Sequence, residues 1–481
     1  MTHKTDPKFL ETLWQAGGEV YEVGGPVRDR LLGIPHKDKD YLVRLIPMEK
    51  LKKFLSPFGK VAVVGKMFGV LKFSPYNEPE TTLDIALPRK ERSTGVGHRD
   101  FEVDFDPRLI VEEDLGRRDF TINAMALNLK TEKIIDPFGG KKDLDAKILR
   151  MVFDKAFEED PLRLIRAVQF AARFDLTIEP KTFESMKTNA KLITTVSAER
   201  IIEEIRKLFL AKKPSLGLEI LRQTGLLQFL FPEMERLIGI EQDKRPGDDV
   251  YQHTLRVLDA AREDAFLENP GDLELLLAAL FHDTGKAATR KYDKAKDRIV
   301  FYSHQLVSKR IVRKWMQRMQ VTNIGINPQH VETLVEHHMF ETKSYFTDKA
   351  IRRFVHKVGE DLIYKLLDLR LADNRGGKHP KSVNGVVKMR DRVRTELAKK
   401  PPFGPKDLAV TGHDLMAIGI EAGPRMGQII KQLVELVLDD PGLNTKERLL
   451  EIAKNIRDTA GVKNEKEKIK KTAQKKGRLG A

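Results

Sequence analysis

The chain of 481 residues carries 86 Lys and Arg against 71 Asp and Glu, a formal charge of +15, and contains no cysteine. The missing cysteine excludes a disulfide-stapled scaffold, a thiolate nucleophile and any thiolate-held zinc or iron–sulfur centre, so a metal must sit on carboxylates and imidazoles. The length points to about three or four domains. No uncharged apolar run nears the ~18 residues that suggest a bilayer span, so a soluble, cytoplasmic protein with no membrane partner is expected.

The first 150 residues mix strand and helix. Glu19 to Val23 reads as a strand and Val27 to Leu32 as a short helix. Four further stretches read as strands: Asp40 to Leu45, Lys60 to Val64, Gly69 to Phe73 and Thr81 to Ala86. Gly24-Gly25 at the first strand–helix junction lets a phosphate approach the backbone, although such turns are often purely structural. Asp38 and Asp40 stand two apart on a strand, so both point to one face, where a hard cation such as Mg²⁺ relieves their repulsion. The other reading is a solvated strand end. Asp84 offers a third carboxylate, its face left open by apolar neighbours. Arg117-Arg118-Asp119-Phe120-Thr121-Ile122-Asn123-Ala124 then supplies two guanidinium groups suited to phosphate.

From about Met151 the pattern turns helical and stays so. Ile201, Ile202, Ile205, Leu208 and Phe209 keep helical spacing behind Ser197, a candidate N-cap. On the expected helix Leu162–Phe174, residues Arg163, Arg166, Phe170 and Arg173 fall on one stripe about 80° wide. Asp160 lies one turn before Arg163. A carboxylate accepting from an exocyclic amine beside an Arg donating to a ring nitrogen matches cytosine and adenine and mismatches uracil and guanine. Asp160-Pro161 as an ordinary helix start is the competing reading.

Further on, the helix Leu273–Phe281 runs into His282-Asp283-Thr284-Gly285-Lys286. His253 lies upstream and Asp373 downstream, and the four residues together read as a metal site. His304, with His337 or His338, would widen it or make it a two-metal site. Turn-rich breaks fall near Gly239–Gly247, Gly376–Pro380 and Lys399–Pro405. The stretch Val462–Ala481 holds eight Lys/Arg against two Glu and reads as a basic, disordered end.

Five motifs appear in a fixed order: Gly24-Gly25-x-Val27-Arg28-Asp29, Asp38-x-Asp40, Arg117 to Ala124, Asp136-Pro137-Phe138-Gly139-Gly140, and Glu159-Asp160-x-x-Arg163. This set resembles the bacterial-type tRNA nucleotidyltransferases, the CCA-adding enzymes of the superfamily shared with poly(A) polymerases. Pro26, where a small or apolar residue is expected, is a minor departure. The resemblance implies an α/β nucleotidyltransferase head with a small mixed sheet, followed by an elongated all-α neck, body and tail. It implies Asp38 and Asp40 as Mg²⁺ ligands. It implies Gly24, Gly25, Arg28, Arg117, Arg118, Asp119 and Asn123 as nucleotide contacts, and Asp160, Arg163 and Arg166 as the base-selecting set. The Gly- and charge-rich segment Glu91–Asp106 looks like the family's flexible loop.

The order His253, His282-Asp283, Asp373 resembles the HD phosphohydrolases, which some nucleotidyltransferases carry after the neck. That implies a divalent transition metal or Mg²⁺ there and action on 2′,3′-cyclic or terminal phosphates. The segments Leu408–Met416 and Gly423–Gly427 resemble the same enzymes' RNA-binding tail. The expected division is a head at 1–150, a neck at 151–240, an HD-type region at 241–385, a tail at 386–461 and the basic end at 462–481. The expected partners are the tRNA 3′ end, CTP and ATP; the oligomeric state is left open. Rival readings are a poly(A) polymerase, an enzyme adding only A or only CC, a phosphohydrolase with a nucleotide-binding head, and an RNA-binding protein without chemistry. Met67 argues against the polymerase, where two adjacent basic residues are expected before Phe68.

Overall fold

The computed structural model describes residues 8–35, 39–64, 69–93, 101–242, 247–342, 346–378, 380–381, 383–399 and 402–458, with only the backbone described for 90–93 and 101–104. The expectations placed on Asp38, on Met67 and on the basic end therefore lie outside the described residues.

Alternating apolar positions build the head. Strands β1 (Glu19–Val23), β2 (Asp40–Arg44), β3 (Gly59–Val64), β4 (Val70–Pro75), β5 (Leu83–Ala86), β8 (Ala126–Asn128) and β9 (Ile134–Ile135) form one sheet in the order β3-β4-β5-β2-β1-β8-β9. Strands β6 (Arg89–Ser93) and β7 (Phe101–Phe105) pair separately as an antiparallel ribbon. These strands flank residues 94–100, the part of the expected loop outside the described residues. The sheet is mixed because β2 and β5 run parallel while the neighbouring pairs run antiparallel. Tyr41 and Val43 of β2 and Leu83 and Ile85 of β5 bury under the helices Lys8–Gln15 and Met48–Leu55, together with Phe9, Leu13, Leu51 and Leu55. Since side chains alternate along a strand, Asp40 with Leu42, and Asp84 with Ala86, face the opposite side. There Val111, Leu115 and Ala124 form a second, smaller core.

A continuous apolar core runs from Phe120 and Ile122 through the helical remainder to Leu449 and Ala453. The helix Leu162–Phe174 carries ten buried residues, including Leu164, Ile165 and Val168, and stops at Asp175 in the left-handed region. Trp315 is fully buried, donates from Nε1 to the Leu230 carbonyl (3.0 Å) and stacks on Phe231 at 5.2 Å. Because it also packs on Phe281 at 5.0 Å, it fixes the helix His304–Met319 against the one that ends at His282.

The remainder is not wholly helical. Strands β10 (Ile148–Leu149) and β11 (Thr177–Ile178) pair in parallel, and β12 (Lys291–Asp293) with β13 (Arg298–Val300) makes an antiparallel hairpin. A three-residue strand carries too few alternations to stand out from polar surface, which is why periodicity passes over the hairpin. Ser197 does sit at the helix N-cap, but its hydroxyl makes no capping bond; the Glu199 carboxylate is held below its usual range by its own backbone N–H first and by the Ser197 hydroxyl second. Among the described residues no helix is long and apolar enough to cross a membrane.

Candidate active site and metal centre

In the head, β1 ends at Val23 and is followed by Gly24, whose φ of +77° suits glycine; a Cβ there would strike the Arg118 guanidinium. Asp40 and Asp84 are register partners on parallel strands, so their carboxylates stand side by side on the second-core face. This register settles the orientation of Asp84 that the sequence left open. Lys72, opposite Asp84 on β4, ion-pairs with it at 3.4 Å. Two adjacent carboxylates on one face fit a hard divalent cation.

Above them opens a cleft of about 400 Å³ lined by Asp40, Gly25, Arg117, Arg118, Asn123 and the helix Leu162–Phe174, with seven Lys/Arg against three Asp on its wall. The four residues of the predicted stripe, Arg163, Arg166, Phe170 and Arg173, all line it. Such an excess of guanidinium groups beside a carboxylate face suits a polyanion such as a triphosphate.

The cations are held by a framework. Arg28 donates to Asn123 Oδ1 (2.6 Å) and to Asp29 Oδ1 (2.7 Å), and lies over the Phe174 ring at 4.4 Å. Arg166 forks onto Asp119 Oδ2 at 2.9 and 2.6 Å, while Asn123 Nδ2 donates to Asp119 Oδ1 at 3.1 Å. Burial works to raise the Asp119 pKa, but Arg166 and Asn123 outweigh it and keep the group ionised. Asp114, fully buried and missed by the sequence reading, accepts from Arg117 Nη2 (2.8 Å) and Arg118 Nη2 (3.5 Å). Its pKa is likewise lowered, burial opposing and the two arginines prevailing. Arg118 Nε is buried and makes no hydrogen bond among the described residues.

Asp114→Asn should therefore cost about 3 kcal/mol of stability, the usual loss when one side of a buried pair is removed. It should also raise KM for the nucleotide about tenfold through misplaced arginines. Urea melts at pH 7 and initial-rate kinetics test both. Because the folded pKa is depressed, the contribution is present above the unfolded value of ~3.9 and lost as pH falls through the folded one. The stability gap between wild type and variant should then close in acid.

Asp160 and Arg163, the expected base-selecting pair, each take partners within the protein. Arg163 donates to the Ala156 carbonyl (3.3 Å) and the Arg117 carbonyl (2.8 Å), and Asp160 is held by Arg200 Nη2 at 3.3 Å. Both still line the cleft. Asp160 also accepts from Leu162 N at 3.2 Å, so the helix-start reading holds in part, although Pro161 takes the N-cap position. The Asp136-Pro137-Phe138-Gly139-Gly140 motif is a turn: the Asp136 carboxylate accepts from Gly140 N and Lys141 N.

The second centre gathers side chains from five helical segments. His253 lies on the helix Val250–Glu263, begun by an Asp249–Gln252 capping box, and Asp373 on Glu360–Gly376. His282 and Asp283 follow Leu273–Phe281, His304 opens His304–Met319, and His338 follows Pro328–His337. Two buried groups of ligand atoms result, His253 with His282 and Asp373, and Asp283 with His304 and His338. Asp283 joins them: Oδ2 lies 3.1 Å from His282 Nε2, and Oδ1 lies 3.1 Å from His304 Nε2 and 3.7 Å from His338 Nε2. Of the two histidines the sequence offered, His338 rather than His337 faces the centre.

Each imidazole has Nδ1 against a backbone carbonyl: Gly376 for His253, Ala279 for His282, Phe301 for His304 and Val335 for His338. Donation from Nδ1 leaves Nε2 as a lone pair aimed inward, the usual arrangement of metal-binding histidine. The fit to a divalent ion is direct: His282 Nε2 is buried and, despite its 3.1 Å approach to Asp283, makes no hydrogen bond. Burial, with His282 and His304 nearby, pushes the His338 pKa down to about 3, so it stays neutral as a ligand must. Gly285 is obligatory here, since a Cβ would collide with the His304 carbonyl. Lys286 Nζ reaches Asp283 Oδ2 at 2.6 Å and Arg370 Nη1 reaches Asp373 Oδ2 at 3.0 Å. Of these two cations bordering the centre, Lys286 was read only as the end of the His282–Lys286 run, and Arg370 went unread in the sequence.

Three family models match: a poly A polymerase head domain over residues 20–150, a probable RNA and SrmB-binding site of polymerase A over 175–238, and an HD domain over 250–375. The multifunctional CCA protein of Actinobacillus pleuropneumoniae is 41% identical over 282 residues, 57% of this chain and 65% of that protein. The alignment thus spans just under two thirds of that relative. The multifunctional CCA protein of Chromobacterium violaceum is 35% identical over 367 residues, 74% of this chain and 84% of its own. Among solved structures, the Bacillus stearothermophilus CCA-adding enzyme in complex with CTP superposes with a TM-score of 0.65 at 23% identity, covering 95% of this chain and 98% of that one. The Thermotoga maritima CCA-adding enzyme complexed with tRNA gives 0.55 at 24% identity, covering 94% and 97%. At such identities the two structures speak for the fold: a mixed-sheet head followed by a mostly helical chain. The three models match in sequence order and the C. violaceum relative is aligned over most of its length, so the chain belongs to the family of multifunctional CCA proteins.

Proposed function

We propose that the protein adds or repairs the 3′-terminal CCA of tRNA from CTP and ATP, without a nucleic-acid template, in the cytoplasm. The observation that carries this reading is the Asp40–Asp84 face beneath a cleft rich in guanidinium groups. In it the triphosphate lies against Arg28, Arg117 and Arg118, with Asp119 and Asn123 holding Arg28 and Arg166 in place. The terminal 3′-hydroxyl attacks the α-phosphorus, the bond to the β-phosphate oxygen breaks and pyrophosphate leaves, while Asp84 takes the hydroxyl proton. Asp40, with Asp38, would hold Mg²⁺, which supplies neutralisation of charge on the attacking and departing oxygens. Asp160 and Arg163, steadied by Arg200 and the Arg117 carbonyl, select the base.

The names of the relatives support CCA addition over poly(A) synthesis. We also infer that the His–Asp centre is a divalent-metal phosphohydrolase site acting on 2′,3′-cyclic or terminal phosphates. Here His253, His282 and Asp373 would hold one ion and His304 and His338 a second, with Asp283 between them. Bound there, such ions supply Lewis-acid polarisation of a phosphoryl group. On this reading the chain divides near residues 150, 240, 385 and 461.

Incubation with tRNA lacking one, two or three terminal nucleotides, plus single labelled nucleoside triphosphates, tests the first activity. CMP should enter the two shorter acceptors and AMP the longest, with UTP and GTP refused. Arg163→Ala should relax that refusal; AMP added to every acceptor would favour a poly(A) polymerase instead.

A further inference from the structure

We propose that the β12–β13 hairpin receives the single-stranded 3′ end of an RNA and presents its terminal phosphate to the adjoining His–Asp centre, an inference that rests on the phosphohydrolase reading above. The hairpin joins two parts of that centre, leaving after Lys286 and returning at His304. Its returning end is fastened to the centre. The Phe301 carbonyl orients His304 through Nδ1 at 2.8 Å, and Lys286, which pairs with Asp283, lies over the Phe301 ring at 5.4 Å. Between them Ser303 takes φ +57°. That turn carries the chain from Tyr302, 57% exposed, to His304, 5% exposed, within two residues. The left-handed backbone is costly for serine and is kept where it re-aims side chains.

Among the described residues the hairpin belongs to no larger sheet, and a lone two-stranded ribbon contributes little stability. Its surface is specific nonetheless. Tyr292 and Tyr302 are both more than half exposed. Tyr302 donates to Asp293 at 3.0 Å and accepts from Lys296 at 2.6 Å, and Tyr292 bonds Asp297. The two acidic residues of the hairpin thus hold its tyrosines, while Arg290, Lys291, Lys294, Lys296 and Arg298 give it a positive field. Exposed rings held in place beside cations are the elements that bind single-stranded nucleic acid, rings stacking on bases and cations meeting phosphates.

The test uses the full chain and a short oligoribonucleotide ending in a 2′,3′-cyclic phosphate. Amide hydrogen exchange over residues 291–300 should slow on adding the oligonucleotide in wild type and not in the Tyr292→Ala/Tyr302→Ala double variant. The double variant should show KM for the oligonucleotide raised about tenfold or more, with kcat held. Hydrolysis of glycerol 1,2-cyclic phosphate, which has no base, should stay within about twofold. Unchanged exchange at 291–300, equal slowing by poly-glutamate, or the same loss on both substrates would overturn the proposal. If neither substrate is hydrolysed the phosphohydrolase reading fails, and the exchange experiment still decides whether RNA seats on the hairpin.

Discussion

Asp40→Asn should lower the incorporation of CMP and AMP by about 10³-fold or more, the scale seen when a preorganised charge is removed from a transferring phosphoryl group. The substitution is nearly isosteric at a half-buried strand position, so urea melts should shift by less than about 0.5 kcal/mol. Hydrolysis of a 2′,3′-cyclic phosphate should be untouched, because the His–Asp centre is built on helices outside the head sheet. Asp84 shares its face and ion-pairs with Lys72 at 3.4 Å; Asp84→Asn should lower kcat with little change in the KM for CTP. Asp40→Asn retaining nucleotide addition would remove the carboxylate face from the mechanism and leave the cleft as a binding site only.

How far the site could be read in advance depended on which interactions are local. The helices Leu162–Phe174 and Leu273–Phe281 were expected at the bounds observed, because helical periodicity and the Asp160-Pro161 start are properties of neighbouring residues. The face of Asp84 was not legible, because it depends on a parallel register with β2 more than 40 residues away in the chain. Asp114 was hidden for another reason: in an acidic run Glu112-Glu113-Asp114 nothing marks the one carboxylate that turns inward to hold two arginines. The partners that Asp160 and Arg163 take within the protein were not legible either, because helical spacing brings Cα positions together but does not decide where a long side chain donates; Arg163 meets two carbonyls and Arg200 meets Asp160. The histidines were easier. Imidazole is rare enough to mark candidates, and only the choice between His337 and His338 needed the end of a helix to be located to within one residue.

Metal content should distinguish the histidines further. Imidazole-rich sites prefer Co²⁺ over an all-oxygen site such as the carboxylate face of the head, so low micromolar Co²⁺ reports on the His–Asp centre. Wild type, stripped and titrated, should take up two equivalents there, one at each triad. His304→Ala and His253→Ala should each lose one. Asp283→Asn should lose both, since its Oδ2 faces His282 and its Oδ1 faces His304 and His338. His337→Ala should keep two, although it neighbours His338 in sequence, because it has no atom in either ligand group. Phosphodiester hydrolysis should fall in step with the ions lost, while CMP addition persists in every one of these variants. A single equivalent in wild type, with His304→Ala unchanged, would reduce the centre to one ion on His253, His282 and Asp373 and leave His304 and His338 as packing around it.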